Sequence, residues 1–363
     1  MFIWEGLIIY TIINFVIKLY LLPILLLIKI RADYVLKLLC DFARTEEWYF
    51  SYRIRPMKQT KHIQILQKAC DIKKKIAIVL QGPIRDNSDF LIETIKFYRK
   101  QYPDVDIIVS TWDDEDLKVL EELDKEKIYI IQSSKPDYSG ILNVNYQIVS
   151  TRAGVNKASE LGNEYVIKTR TDQRVCKPYI FYSLCELLSL YEPQNTDLMQ
   201  NRIIITSTFI HNMFTPYFLS DFFYMGTVKD IGNLFACDLD YRQEHYEKKM
   251  SRKKYSETMY PPEIYLLKTY LINCLKYNCN DTVKDYWQCL KDFFICLDRK
   301  DIDLFTPKYE YNYAEHIANS EFAFNDDKHN KVLMGFNFWT WLNLYTGIFQ
   351  YKTEYEKEMD VEF

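Results

Sequence analysis

Neither of the familiar glycine-rich phosphate signatures occurs in this chain. There is no G-x-x-x-x-G-K-[ST] anywhere, and no G-x-G-x-x-G after the first strand-like run. A P-loop nucleotide hydrolase and a nicotinamide-dependent dehydrogenase therefore lose their main support. Paired cysteine frameworks are missing too. The nine cysteines are an odd number, and the closest pairs, Cys274 with Cys279 and Cys289 with Cys296, fit no zinc ribbon. Buried thiols in a reducing compartment are the expectation. No repeat and no low-complexity tract is present. A formal charge of -4 offers no basic field for a polyanion, which argues against nucleic acid as a partner.

What is present is apolar and aromatic. Of 363 residues, 48% are hydrophobic and 16% aromatic, with 30 Tyr and 22 Phe, far too much for a disordered chain. From Gly6 to Ile28 the only charge is Lys18, and Pro23 interrupts the run. At 1.5 Å per residue such a helix would cover roughly 35 Å, enough for a hydrocarbon core. Basic residues before it and a small-residue cleavage site after it are both lacking, so a removable signal peptide fits poorly. Lys29, Arg31 and Lys37 follow the run, whereas Glu5 precedes it. The positive-inside rule then places everything beyond residue 30 in the cytosol, at the inner membrane. An interfacial helix broken at Pro23, or a buried pair of core helices, remains the alternative. The expected organisation is a membrane-associating segment over 1–30, a connector over 31–72, a catalytic domain over 73–275, and a helical C-terminal extension over 276–363.

Within 73–275, apolar runs alternate with helical periodicity. Ile76–Leu80 predicts a strand buried on both faces, followed by a helix over 89–102 and a strand over 106–111. A helix around Leu117, Leu120 and Leu123 precedes a third strand over 127–131. A helix over 143–161 leads to the strand that carries Lys168-Thr169-Arg170-Thr171-Asp172, and 202–206 reads as a further strand. The expected fold is α/β, with helices covering a mostly parallel sheet. Ligands of such sheets bind beyond the carboxyl ends of the strands, where this sequence places Gln81-Gly82-Pro83, Asp113, Asp114, Arg170 and Asp172.

Strand alternation would put Arg170 and Asp172 on one side, aiming a guanidinium and a carboxylate at one site, which suits a diphosphate. An ion pair at the sheet rim is the plainer explanation. Asp113 and Asp114 could meet ribose hydroxyls or cap the next helix. Arg152 is a phosphate contact or merely an exposed arginine on its helix, with Asn143, Asn145 and Gln147 upstream. Asp221 is a lone carboxylate in the apolar, strand-like run 219–226, costly there unless paired or used. Glu263 follows Pro261-Pro262 in the first turn of a helix, where a favourable dipole interaction already explains a glutamate.

Taken together, I-A-I-V-L-Q-G-P-I at 76–84, I-V-S-T-W-D-D-E at 108–115, N-x-N-x-Q-I-x-S-T-R-x-G at 143–154 and V-I-K-T-R-T-D-Q-R at 166–174 resemble the WavE-type lipopolysaccharide-synthesis proteins. S-D-F-F-Y-M-G at 220–226 and P-P-E-I-Y-L at 261–266 agree in order and spacing. The resemblance covers about 75–270. It implies a glycosyltransferase of GT-A-like fold that moves a sugar from a nucleotide-sugar donor to a lipopolysaccharide core or other surface-glycan acceptor. By the same analogy Gln81, Gly82, Pro83, Asp113, Arg152, Arg170 and Asp172 would hold the donor, and Asp221 with Glu263 would serve the acceptor. GT-A enzymes usually carry Asp-x-Asp for manganese or magnesium where this chain has Arg170-Thr171-Asp172. A cation replaces the first carboxylate, so Asp172 alone is left as a metal ligand and could be the donor-sugar contact instead. Two other readings compete: a sugar-phosphate nucleotidyltransferase, and a membrane-tethered non-catalytic scaffold in polysaccharide assembly.

Overall fold

The computed structural model describes residues 74–84, 88–194, 196–207, 213–243, 250–307 and 336–362, and the isolated helical positions Val35, Leu38, Leu39 and Phe42. The chain divides into two units, Met1–Met57 and Lys58–Phe363. In the first, only those four helical positions are described. The apolar run 6–28 and, those four positions apart, the connector 31–72 lie outside the described residues, and among the described ones no helix is long and apolar enough to cross a membrane.

The second unit is built on a seven-stranded sheet. Its strands are β1 (Ile76–Gln81), β2 (Asp106–Trp112), β3 (Tyr129–Ser133), β4 (Tyr165–Arg170), β6 (Ile203–Ser207), β7 (Tyr224–Thr227) and β8 (Phe294–Asp298), ordered β3-β2-β1-β4-β7-β6-β8. A two-stranded ribbon pairs β5 (Arg174–Val175) with β9 (Leu304–Phe305). All neighbours in the large sheet run parallel except β7, which is antiparallel to both β4 and β6. Every residue of β1 is buried, as befits a central parallel strand with helices over both faces.

The helices are α1 (Ser88–Gln101), α2 (Leu117–Asp124), α3 (Val144–Glu160), α4 (Ile180–Leu190), α5 (Val228–Leu234), α6 (Arg252–Thr258), α7 (Pro262–Asn273), α8 (Val283–Phe293) and α9 (Phe338–Tyr345). α3 packs closely against β1 and β2. A Cβ on Gly154 would come within 2.5 Å of Val79 and 3.2 Å of Ser110, so only glycine permits that approach.

Three expectations are corrected. The third strand begins at Tyr129, not 127, because Lys127 takes a positive φ of 54° as the chain leaves α2. The run 219–226 is strand only from Tyr224, leaving Asp221 in a bend. The apolar stretch 283–297 is a helix to Phe293 and then the edge strand β8, so the sheet does not end at residue 275 and the C-terminal part is no helical appendage. Short apolar runs fit a buried strand as well as a buried helix, and periodicity alone does not separate them.

Candidate functional site

In the pairing of the central strands, Gln81 lies level with Ser110 on one side and Arg170 on the other. The carboxyl ends of β1, β2 and β4 thus open together. Beyond Gln81 the chain turns at Gly82, whose φ of 120° is a conformation that side-chain-bearing residues rarely adopt. The turn is stitched down: Gly82 N–H donates to the Ser110 carbonyl at 3.0 Å, Thr171 N–H to Gln81 at 3.1 Å, and the Thr171 hydroxyl to Pro83 at 2.7 Å. The Glu115 carboxylate accepts from Ile84 N–H at 2.9 Å and from the Thr111 hydroxyl at 2.8 Å.

A cleft of about 510 Å³ opens at this edge, lined by the Gln81-Gly82-Pro83 turn, Arg170, Thr171 and Asp172 among others. Strand alternation is not what brings Arg170 and Asp172 together. β4 stops at Arg170, and a turn closed by Gln173 N–H on the Arg170 carbonyl at 3.1 Å curls Asp172 back. Its carboxylate then takes a two-pronged bond from the guanidinium, at 2.9 and 2.8 Å. The rim ion pair is therefore real, but each side chain keeps 24% exposure and faces the cleft. The guanidinium also sits 5.3 Å from the centre of the Phe222 ring.

The opposite wall comes from the segment before α3. Leu142 and Asn143 both take left-handed backbone conformations, with φ of 50° and 67°, and line the cleft with Tyr146 and Gln147 of the first helical turn. The positive end of a 17-residue helix dipole is thereby brought to the cleft. Tyr146 stands edge-on to Trp112 at 5.4 Å, and Lys135, another lining residue, pairs with Asp114. Sequence reasoning missed Lys135, Trp112 and Tyr146 as site residues. Only the position of Trp112 at the end of its strand could have signalled one of them.

Asp221 lines the cleft from the bend before β7, and Glu263, half-buried in the first turn of α7, is within electrostatic reach of it. Burial first, and then the neighbouring Asp221 charge, push the Glu263 carboxyl up to about 8, against the opposing pull of Lys168 and Arg170. Lys168 is wholly buried, and burial brings its amine down to about 8. Its Nζ donates to the Asp221 backbone carbonyl at 2.6 Å, with the rings of Tyr224 and Phe235 at 5.6 and 5.9 Å. Sequence reading did not single out Lys168 as a site residue. It sits on an inward position of β4, where an apolar residue is usual.

Two expected donor contacts lie elsewhere. Arg152 does not line the cleft, because its guanidinium donates to the carbonyls of Phe235 at 3.0 Å and Cys237 at 2.6 Å, holding the chain after α5. Asp113 is exposed beside the cleft and accepts from Ser134 at 2.6 Å, while the cap of α2 is Asp116, not Asp113 or Asp114. Asn145 points away from the cleft, joining Asp240 through two hydrogen bonds of 2.8 and 2.6 Å.

For a metal, the donor set is poor. Both oxygens of Asp172 are engaged by Arg170, and no cluster of three or more His, Cys, Asp or Glu among the described residues is arranged to hold an ion. Asp172 does not fit the role of a metal anchor in this arrangement.

A protein-family model described as WavE lipopolysaccharide synthesis matches residues 76–357. The chain belongs to the WavE family. That match runs from the first residue of β1 to beyond α9, so in this WavE protein the late strand β8 and the C-terminal helix are part of the family's domain. No curated protein matches the sequence. Among solved structures, a cytidylyltransferase from Leptospira borgpetersenii is 14% identical, with 79% of this chain and 97% of that one covered and a TM-score of 0.33. The 4-diphosphocytidyl-2C-methyl-D-erythritol synthase of Anaerococcus prevotii is 15% identical, covering 45% and 75% respectively, with a TM-score of 0.31.

Proposed function

We propose that this WavE protein is a glycosyltransferase of GT-A-like fold, which moves a sugar from a nucleotide-sugar donor to a lipopolysaccharide core or related surface-glycan acceptor. The observation that carries the reading is one cleft edged by the cations Arg170 and Lys135 on its donor side and by Asp221 on the other, with Glu263 within electrostatic reach of Asp221. The nucleotide enters over the Gln81-Gly82-Pro83 turn. Its diphosphate lies against Arg170, Lys135 and the positive end of α3, groups already in place for the charge that develops on departure. Asp172 fixes the plane of the guanidinium, leaving no need for it to reorganise.

On the acceptor side, Glu263 takes the proton of the attacking hydroxyl. The acceptor oxygen then forms its bond to the anomeric carbon as the bond from that carbon to the diphosphate breaks. The electron pair leaves with the nucleoside diphosphate. A carboxyl raised to about 8 is a far stronger base than an ordinary glutamate, and a catalytic pKa close to the working pH serves proton transfer best. The reaction takes place at the cytosolic face of the inner membrane, with the apolar run 6–28 as the attachment.

Full-length protein incubated with a panel of nucleotide sugars, with and without EDTA, tests the reading. Binding of at least one nucleotide sugar and release of its nucleoside diphosphate are expected. Asp172→Asn should weaken that binding about tenfold, as loss of one charged partner of a hydrogen-bonded pair predicts. Pyrophosphate release from a nucleoside triphosphate and a sugar phosphate would instead show a nucleotidyltransferase. A folded Asp172→Asn protein that fully supports polysaccharide synthesis would point to the scaffold.

A further inference from the structure

A second depression, about 690 Å³, lies between the second half of α3 and α5. Five side-chain amides line it; that of Asn163 donates to the Asp106 carboxylate at 2.9 Å, whereas those of Asn156, Gln200, Asn201 and Asn233 have no hydrogen-bond partner among the described residues. Gln200 and Asn201 are nevertheless fixed in place. Their backbone N–H groups donate to the Asp230 carboxylate at 3.1 and 2.9 Å, and the same carboxylate accepts from the Thr227 hydroxyl at 2.7 Å. Asp230 is fully buried, so those two amides are carried on a fixed stretch of backbone, and Asn156 and Asn233 are carried on α3 and α5.

The chemistry of this lining is selective. A primary amide offers two donors and an acceptor at a short, planar head, matching the combined donor and acceptor character of sugar hydroxyls. The one acid and one base in the lining, Glu164 and Lys229, cancel in charge, which disfavours a phosphate. Tyr165 adds an aromatic surface for the apolar side of a ring. α3 connects this place to the reaction site: Gln147 lines the cleft and Asn156 the depression, nine residues or roughly 13 Å apart along the helix.

We propose that the depression is a second saccharide-binding site, taking a neutral, hydroxyl-rich stretch of glycan. Its identification with a remote part of the acceptor rests on the transfer reading above. Tethered there, an acceptor chain presents its reacting end to the cleft at a raised effective concentration.

The test is saturation-transfer NMR on the full-length protein in detergent micelles, with dephosphorylated lipopolysaccharide-core oligosaccharide and maltohexaose as probes. Saturation of sugar protons is expected, with affinity about tenfold weaker in the double variant Asn156→Ala with Asn233→Ala, since two hydrogen bonds are lost. Nucleotide-sugar binding should be unchanged in that variant. The proposal is overturned if neither probe is saturated, or if the double variant binds like the wild type. Should oligosaccharide binding depend on the two amides while no nucleotide sugar binds, the site stands and only the transfer reading falls.

Discussion

Two ionisable groups of opposite type, the half-buried Glu263 and the fully buried Lys168, dominate at the residue scale. Glu263→Gln should lower turnover by about 100-fold or more, the contribution of a general base, with substrate binding largely kept. In the wild type, turnover should rise with pH through about 8 as the carboxyl loses its proton. Stability should move oppositely. The folded protein holds the Glu263 proton between its ordinary value of 4.5 and about 8, so stability is fully present below the lower figure and is lost as pH rises through the upper one. Lys168 has the reverse sign, because its amine is depressed from 10.5 to about 8. The folded state binds fewer protons across that interval, and stability climbs there with pH. Thermal melts should therefore pass through a minimum near pH 8. Glu263→Gln should flatten the descending limb and Lys168→Met the rising one. Lys168→Met should also move the turnover profile to higher pH, since it removes one of the two cations that hold the Glu263 carboxyl down. A profile that stayed put would mean that Lys168 only packs the core.

At the scale of elements, the βα alternation was legible because the central strands are continuous apolar runs and the first helices carry clear periodicity. Gln81, Gly82, Arg170, Asp172 and Asp221 could be found for the same reason, as polar residues at or next to the ends of such runs. Tyr146 could not, for it follows the left-handed turn at Leu142 and Asn143, which no local pattern announces, and Lys135 could not because it stands two residues past a strand that runs to Ser133 and not only to 131. Arg152 was misplaced because helix position says nothing about which carbonyls a long side chain will find. The seating of α3 gives the element-scale prediction. Gly154→Ala would favour the helix by about 1 kcal/mol on propensity alone. Against that, the new methyl group would stand 2.5 Å from Val79 Cγ1, and overpacking of this kind costs about 1–3 kcal/mol. Net destabilisation in urea denaturation is expected, together with weaker nucleotide-sugar binding as Asn143, Tyr146 and Gln147 shift with the helix. A variant as stable as the wild type would show that α3 has room to retreat from the sheet.

For the molecule as a whole, the question is whether the part beyond residue 275 is separable, as its aromatic, helix-like sequence suggests. β8 runs parallel to β6 with five residues in register, from Ile203 opposite Phe294 to Ser207 opposite Asp298. Its side chains are buried through Leu297. Trp287 of α8 is buried and donates its indole N–H to the Met213 carbonyl at 2.8 Å, and Trp341 of α9 donates to Leu290 at 3.2 Å. Arg202, at the foot of β6, is fully buried and bonds carbonyls of Tyr191 and Lys291 at 3.2 Å each. Truncation at 275 would strip β6 of its outer neighbour, uncover an apolar sheet edge and leave the Arg202 guanidinium short of an acceptor, each a severe defect. The shortened chain should be insoluble, or should bind a hydrophobic dye and lose its near-ultraviolet circular dichroism. A truncated protein that melted cooperatively and still bound a nucleotide sugar would show that β1 to β7 suffice for a stable sheet and donor cleft.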